Sequence, residues 1–246
     1  MSGTVAIVQA RMGSTRLPGK VMMPLAGRPV IDHVIDRVSA APGIDAIVLA
    51  TTTRPEDDAL AAHVAARPVA VHRGSDTDVL ARFDGAARMA DARTVVRITA
   101  DDPVKDPDVI GTVVAAFGNS DPAFDYVSNT MRPTWPEGQD TEVFSAAALY
   151  RAAAEATDPY DREHVTPYFY RNPDLFRCHS VEQALDMSSV RLTLDTPEDF
   201  LFFETLFDVL GGDGRMIRLP EILELLAARP EIVTINAAVT RSAAYR

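Results

Sequence analysis

The opening segment Thr4-Val-Ala-Ile-Val-Gln9 is an apolar run closed by a loop that holds Gly13, Pro18 and Gly19, the pattern of a buried strand. Val30, Ile31, Val34, Ile35 and Val38 then recur at helical spacing and predict a helix over roughly 29–40. A second buried strand is expected at 45–51, a helix at 55–66 and a short strand at 69–72. In Ser75-Asp-Thr-Asp78 the serine can cap a helix and the acids favour the positive end of its dipole, so a helix is expected to start there. Strands follow at 94–99 and 125–130, with helices near 107–117 and 145–156. Arg191-Leu-Thr-Leu-Asp195 reads as a late strand. Thr196 and Pro197 then read as cap and first residue of a helix over 197–210, and another helix is expected near 219–228.

Strands alternating with helices imply βαβ units: an α/β, Rossmann-like fold whose mostly parallel central sheet is flanked by helices. Ligands in such sheets sit beyond the carboxyl ends of the strands. The stretch 131–145 breaks the alternation with Pro133, Pro136, Gly138 and the only tryptophan, Trp135, and reads as a long ordered loop or hairpin. Residues 158–181 are mixed and rich in aromatics. With no repeat or linker, 1–246 is taken as one domain carrying an insertion at about 131–181.

Composition narrows the class. At 246 residues and 47% hydrophobic, the chain can bury a sizeable core. Its single cysteine, Cys178, rules out an intramolecular disulfide and makes a cytoplasmic protein the default. The first residues read as a strand rather than a signal peptide. No apolar run approaches the roughly 18 residues of a membrane span. A net charge of −11 argues against nucleic-acid and acidic-membrane partners. Yet residues 1–31 hold no Asp or Glu while carrying Arg11, Arg16, Lys20 and Arg28. A positive island in an acidic chain suits a small polyanion. Only Lys20 and Lys105 among the 24 basic residues are lysines, so an ammonium inside this loop suggests a need that a guanidinium does not meet.

The loop Gln9-Ala-Arg-Met-Gly-Ser-Thr-Arg-Leu-Pro-Gly-Lys20 has the ingredients of a phosphate cradle but not the spacing of a known one. Five residues stand between Gly13 and Gly19, where the Walker pattern has four, and Val21 follows Lys20, so that pattern fails, and the dinucleotide fingerprint fails too. What remains is a flexible segment of small residues, hydroxyls and three cations, suited to wrapping a triphosphate.

This loop, with Arg73–Leu80, Arg97–Pro103, Asp125–Thr130, Asp161–Pro167 and Arg191–Asp199 in order, resembles the acylneuraminate and 3-deoxy-manno-octulosonate cytidylyltransferases. It is most similar to the branch of spore coat polysaccharide biosynthesis. The resemblance implies a nucleotidyltransferase fold with a hairpin or dimerisation insertion, a homodimer, and CMP transfer from CTP to a sugar acid. It places Arg11, Ser14, Arg16 and Lys20 on the triphosphate, with Gly13 among the nucleotide-binding residues and Arg11 and Lys20 as the catalytic cations. Gln9 and Ala10 would face the cytosine, and Arg73 and Ser75 the base or ribose. Thr99, counted with the nucleotide-binding residues, stands where the octulosonate enzymes carry a glutamine.

Magnesium prefers one or two carboxylates plus water and phosphate. Asp101 and Asp195, each expected at a strand end, fall on the family's metal positions and could meet above the sheet edge. Asp102 reads as a loop acid bonded to nearby amides. For the acceptor the candidates are Gln139, Glu142, Tyr160, Arg162 and His164, with Glu137 and Asp140 beside them. Arg162 is the expected cation for an acidic acceptor, and His164 either a hydrogen-bond donor, a base or a structural residue. His33, Trp135 and Cys178 read as packing residues. Three alternatives stay open: a phosphonate or other non-sugar acceptor, a glycosyltransferase using Asp76-Thr77-Asp78, and a non-catalytic nucleotide-binding subunit.

Overall fold

The computed structural model describes residues 3–211 and 215–240. In chain order the elements are β1 (Thr4–Gln9), β2 (Pro24–Leu25), β3 (Arg28–Pro29), α1 (Val30–Ser39), β4 (Ala46–Thr52), α2 (Asp58–Ala65), β5 (Ala70–Gly74), α3 (Val79–Met89), β6 (Thr94–Thr99), α4 (Pro107–Gly118), β7 (Tyr126–Ser128), β8 (Glu142–Ser145), α5 (Ala146–Glu155), α6 (Pro159–His164), α7 (Pro167–Arg171), β9 (Cys178–Ser180), α8 (Pro197–Leu210), α9 (Leu219–Ala228) and α10 (Pro230–Val233). Seven strands form one sheet in the order β5-β4-β1-β6-β8-β7-β9, in which β8 alone runs against the others.

Alternation along β1 explains both faces. Ala6 and Val8 pack with Val34, Ile35 and Val38 of α1, Leu60 and Val64 of α2, and Ile110 and Val113 of α4. Val5 and Ile7 point the other way, onto Leu80 and Phe83 of α3 and Leu149 and Ala152 of α5. A third cluster joins α8 and α9 to Leu25, Val30, Leu192 and Leu194. Among the described residues no helix is long and apolar enough to cross a membrane.

The chain runs outward from β1 through β4 to β5, then returns to place β6 on the other side of β1. The β1–β6 boundary is therefore the switch point of the sheet, where Gln9 lies beside Thr99 and the crevice opens.

Several local expectations shift. The helix expected at Ser75 begins at Val79, because Asp78 is the cap: its carboxylate accepts the Ala81 N–H, while Ser75 Oγ accepts the Asp78 N–H in the preceding turn. The helix expected over 55–66 opens with a tight 3₁₀ turn, Pro55–Asp57. Arg191–Asp195 is not a strand. Its Leu192 N–H bonds to the Glu137 carbonyl and its Leu194 N–H to the Asp101 carbonyl, so two separate segments share it and only a single bridge forms, at Arg191. The expected loop over 131–145 ends in β8, and 158–181 holds α6, α7 and β9. Thr196 does cap α8, in a reciprocal pair with Asp199.

Candidate active site

The loop after β1 is folded on itself and tethered from below. The Met12 carbonyl accepts both the Ser14 and Gly19 N–H groups at 2.9 Å. The Met12 N–H donates to the buried Asp57 carboxylate at 2.6 Å, and Asp57 also accepts from the Thr52 hydroxyl. Gly19 turns with φ at +71°, left-handed backbone that glycine takes without penalty, and delivers Lys20 into a single 3₁₀ turn. A cleft of about 240 Å³ opens over this loop, lined by Gln9, Ala10, Arg11, Gly13, Arg16, Lys20, Thr99 and Asp101 among others.

Lys20 is the centre of the arrangement. Its Nζ donates to Asp101 Oδ2 at 2.7 Å, to Asp195 Oδ1 at 2.8 Å and to the Leu194 carbonyl at 2.9 Å. Burial disfavours the ammonium, but the two carboxylates outweigh it and hold the Lys20 pKa above its ordinary value. Burial likewise works to raise Asp101, and the Lys20 charge overrides it, keeping that carboxyl below its usual range. Two carboxylates that converge on one ammonium also fit a divalent cation in chemistry and placement. Among the described residues no group of three or more His, Cys, Asp or Glu could hold one, so Asp101 and Asp195 are the pair that would hold it.

Asp195 is fixed from behind. Arg191 makes a two-pronged contact with the fully buried Asp199, at 2.8 Å on each side, and reaches Glu137 at 2.8 Å and Asp195 at 3.2 Å. Asp199 in turn accepts the Asp195 N–H at 2.9 Å.

A second cavity of about 180 Å³ adjoins the first, lined by Arg16, Thr99, Asp101, Asp102, Glu137, Gly138, Asp140, His164 and Asp195. Asp102 accepts from Thr99 Oγ1 at 2.8 Å and pairs with the fully buried Lys105 at 3.1 Å, rather than bonding to amides. Burial, with Asp101 and Asp140 nearby, pushes its carboxyl up to about 7 against the pull of Lys105. A third cavity of about 270 Å³ is lined by Gln9, Arg11, Asp76, Arg97, Glu163 and His164. Burial keeps the His164 pKa below its ordinary value, with Arg97 acting the same way against Glu163, so its imidazole is neutral at neutral pH.

The structure thus gathers Gln9, Ala10, Arg11, Gly13, Ser14, Arg16, Lys20, Thr99, Asp101, Asp195 and His164 around connected clefts. Other candidates stand apart, with their polar groups already engaged. Gln139 is fully buried, accepting the Asp106 N–H at 2.7 Å and donating to the Val104 carbonyl. Glu142 is buried under Arg97 and the Tyr126 hydroxyl. Arg162 grips Asp78 with Nε and a terminal nitrogen and donates to the Ala153 and Ala156 carbonyls. Arg73 donates to the Thr52 and Arg54 carbonyls and pairs with Asp58, and Ser75 serves the turn before α3. Tyr160 is exposed, its ring 4.4 Å from that of His164. Asp76 and Asp78 do not form a metal pair: the first bridges Arg11 and Arg54, the second caps α3 and holds Arg162. His33 and Trp135 pack as expected, the first against Phe207 with a hydrogen bond to the Leu25 carbonyl. Cys178 is half-buried on β9, its thiol pushed up to about 11 by burial.

Three contributors escaped sequence reasoning: Asp57, Arg97 and Arg191. Asp57 sits in an unremarkable Pro-Glu-Asp turn. Arg97 is a charge set between Val96 and Ile98 inside a strand, and that anomaly was the available signal.

A parallel sheet that releases a cationic loop at its switch point, beside two convergent carboxylates, defines a nucleotidyltransferase. The chain belongs to the cytidylyltransferase family, whose description matches residues 5–215, and is accordingly a CTP-dependent nucleotidyltransferase. It is 36% identical to the uncharacterised protein MJ1063 of Methanocaldococcus jannaschii, over 98% of this chain and 97% of that one. It is 32% identical to the spore coat polysaccharide biosynthesis protein SpsF of Bacillus subtilis, over 95% and 98% of the two chains. A solved cytidylyltransferase from Leptospira borgpetersenii superposes with a TM-score of 0.88 at 27% identity, covering 95% of this chain and 97% of that one.

Proposed function

We propose that this enzyme transfers CMP from CTP to a hydroxyl of a small acidic acceptor, a sugar acid foremost, with release of pyrophosphate. The observation that carries the reading is the Lys20 ammonium bridging Asp101 and Asp195 beneath a cationic loop at the switch point. The triphosphate lies along that loop, with Arg11, Arg16 and Lys20 balancing its charge and the main-chain groups of Gln9 and Ala10 facing the base. The acceptor oxygen attacks the α-phosphorus, the bond to the bridging oxygen breaks, and pyrophosphate leaves. Catalysis of this kind rests on positioning and charge neutralisation. A magnesium ion held by Asp101 and Asp195 would add neutralisation of the phosphate oxygens.

Arg162 is engaged by Asp78, and the cations that line the third cavity and would meet an acidic acceptor there are Arg11, paired with Asp76, and Arg97, paired with Glu142. Arg97 is held in β6 by Glu142 and a long contact to Gln9. His164 lines both the second and third cavities and, being neutral, can accept the proton of the attacking hydroxyl. A phosphonate acceptor would use the same cations. A cytoplasmic homodimer completes the reading: Met131, Tyr160, Tyr170 and Leu175, between 131 and 181, are each more than a third exposed and suit self-association.

Pyrophosphate release from CTP with magnesium, across sugar acids, phosphonates and neutral sugars, tests the proposal. Release that depends on an acidic acceptor is expected. Release with neutral sugars alone would remove the acidic acceptor, and nucleoside phosphate without pyrophosphate would mark a glycosyl transfer instead.

A further inference from the structure

Asp195 has both carboxylate oxygens occupied by cations of the protein itself. Oδ1 takes Lys20 Nζ at 2.8 Å, and Oδ2 takes Arg16 at 2.9 Å and Arg191 at 3.2 Å. The three cations are not equivalent. Arg191 is buried and locked by Asp199 and Glu137. Arg16 and Lys20 belong to the loop that lines the nucleotide cleft, and Arg16 remains largely exposed. Asp101 shares the same ammonium through Oδ2.

An ammonium and a divalent ion cannot both sit between these carboxylates. Magnesium needs its oxygens at about 2.0–2.1 Å in a near-octahedral shell, and a second positive charge within hydrogen-bonding distance of the same oxygens repels it. Among the described residues no group of three or more His, Cys, Asp or Glu is placed to hold a metal, and the two carboxylates that converge on the ammonium are Asp101 and Asp195. Entry of the ion therefore requires that Lys20 gain another anionic partner.

We propose that Lys20, assisted by Arg16, is the resident counter-ion of Asp101 and Asp195 in the nucleotide-free enzyme. The divalent ion gains these carboxylates only when the triphosphate draws the loop cations away. The inference rests on the cytidylyltransferase reading, which supplies the triphosphate. It makes nucleotide and metal binding mutually supportive, since a coupling between two sites is reciprocal. It also keeps free metal out of the empty site. If Lys20 were a brace only, its removal would lower stability without raising metal affinity.

The test is Mn²⁺ binding to the full chain without nucleotide, read from the paramagnetic resonance of the unbound ion, for wild type and Lys20→Met. The variant is expected to bind Mn²⁺ at least about tenfold more tightly, a coupling of ordinary size, and the added substitution Asp195→Asn is expected to abolish the gain. Equal affinity in wild type and a Lys20→Met protein shown to be folded by circular dichroism overturns the proposal. In wild type, CTP binding by equilibrium dialysis is expected to tighten at least about tenfold on adding Mn²⁺, and unchanged affinity overturns the proposal even where the variant fails to fold. If CTP binds neither with nor without metal, the cytidylyltransferase reading falls, while the nucleotide-free comparison still judges Lys20.

Discussion

Lys20 Nζ lies 2.8 Å from Asp195 Oδ1 although 175 residues separate the two in the chain. The same nitrogen reaches Asp101 and the Leu194 carbonyl, so one ammonium joins the loop after β1, the turn after β6 and the entry to α8. Three oxygens around one nitrogen match the three donors of an ammonium.

That geometry sets the first prediction. Lys20→Ala is expected to lower turnover by at least about tenfold, because it removes a preorganised cation from a charge-developing step. Lys20→Arg is expected to restore little of it, since a planar guanidinium fork does not reproduce the compact point charge that an ammonium offers a phosphate. Steady-state pyrophosphate release at saturating CTP measures both. An arginine variant with wild-type turnover would show that positive charge alone suffices.

The same cluster gives a pH dependence of stability with a definite sign. The folded-state pKa of Asp101 is lowered, with burial opposing and Lys20 prevailing, so its contribution is present above the unfolded value of about 3.9 and is lost as pH falls through the folded value. For Lys20 the folded value is raised, burial again opposing, so its contribution is present below the ordinary value of 10.5 and is lost as pH rises through the folded one. Wild type is therefore expected to exceed Lys20→Met in urea unfolding free energy by a near-constant margin from about pH 5 to 9, with the gap closing below about pH 4. A margin unchanged in acid would mean that the pair does not stabilise the fold.

Asp57 is expected to matter beyond its modest position. Its carboxylate is almost fully buried and accepts from Met12 N at 2.6 Å, Thr52 N at 3.3 Å and the Thr52 hydroxyl. Asp57→Ala leaves these donors unsatisfied at a cost of about 1–3 kcal/mol. The same loss frees the base of the loop after β1, so on the proposed reading the KM for CTP is expected to rise more than kcat falls. Denaturant titration and initial rates at varied CTP check the two halves separately. A stability loss with KM untouched would make Asp57 a core residue and nothing more.

The sheet and most helices were legible because they follow from local periodicity: β1, β4, β6, α1 and α8 lie within two residues of their expected bounds. The cationic loop that lines the main cleft stood out for a different reason, an unusual run of cations and glycines directly after a buried strand. What escaped was set by long-range pairing. Arg191–Asp195 carries an alternating strand pattern, yet its backbone answers to Glu137 and Asp101 at once, and no local rule encodes that. Arg162 looked like the acceptor's cation until the fold brought Asp78 within 2.6 Å of it, across 84 residues. Polar residues near a motif in sequence are thus poor guides to which side chain faces the ligand, because burial and pairing decide that after the chain has closed.

Gly138 tests that closure directly. Its φ is +96°, a conformation that side chains with a Cβ rarely adopt, and a Cβ built there would stand 2.2 Å from the Leu192 carbonyl oxygen. The obstacle is backbone, so it cannot swing aside as a flexible side chain would. The Gly138 carbonyl also accepts from the fully buried Lys105 at 3.1 Å, so moving this residue loosens the clip that holds the loop to the segment between β6 and α4. Gly138→Ala must therefore displace either the loop or the segment 192–195 that carries Asp195. Unfolding free energy is expected to fall by about 2–3 kcal/mol, from backbone strain and lost packing together. Turnover is expected to fall further than the folded fraction explains, because Asp195 moves away from Lys20. Urea unfolding and turnover on the same preparation separate the two effects. An alanine variant that keeps both its stability and its rate would show that the loop and Asp195 are not mechanically linked.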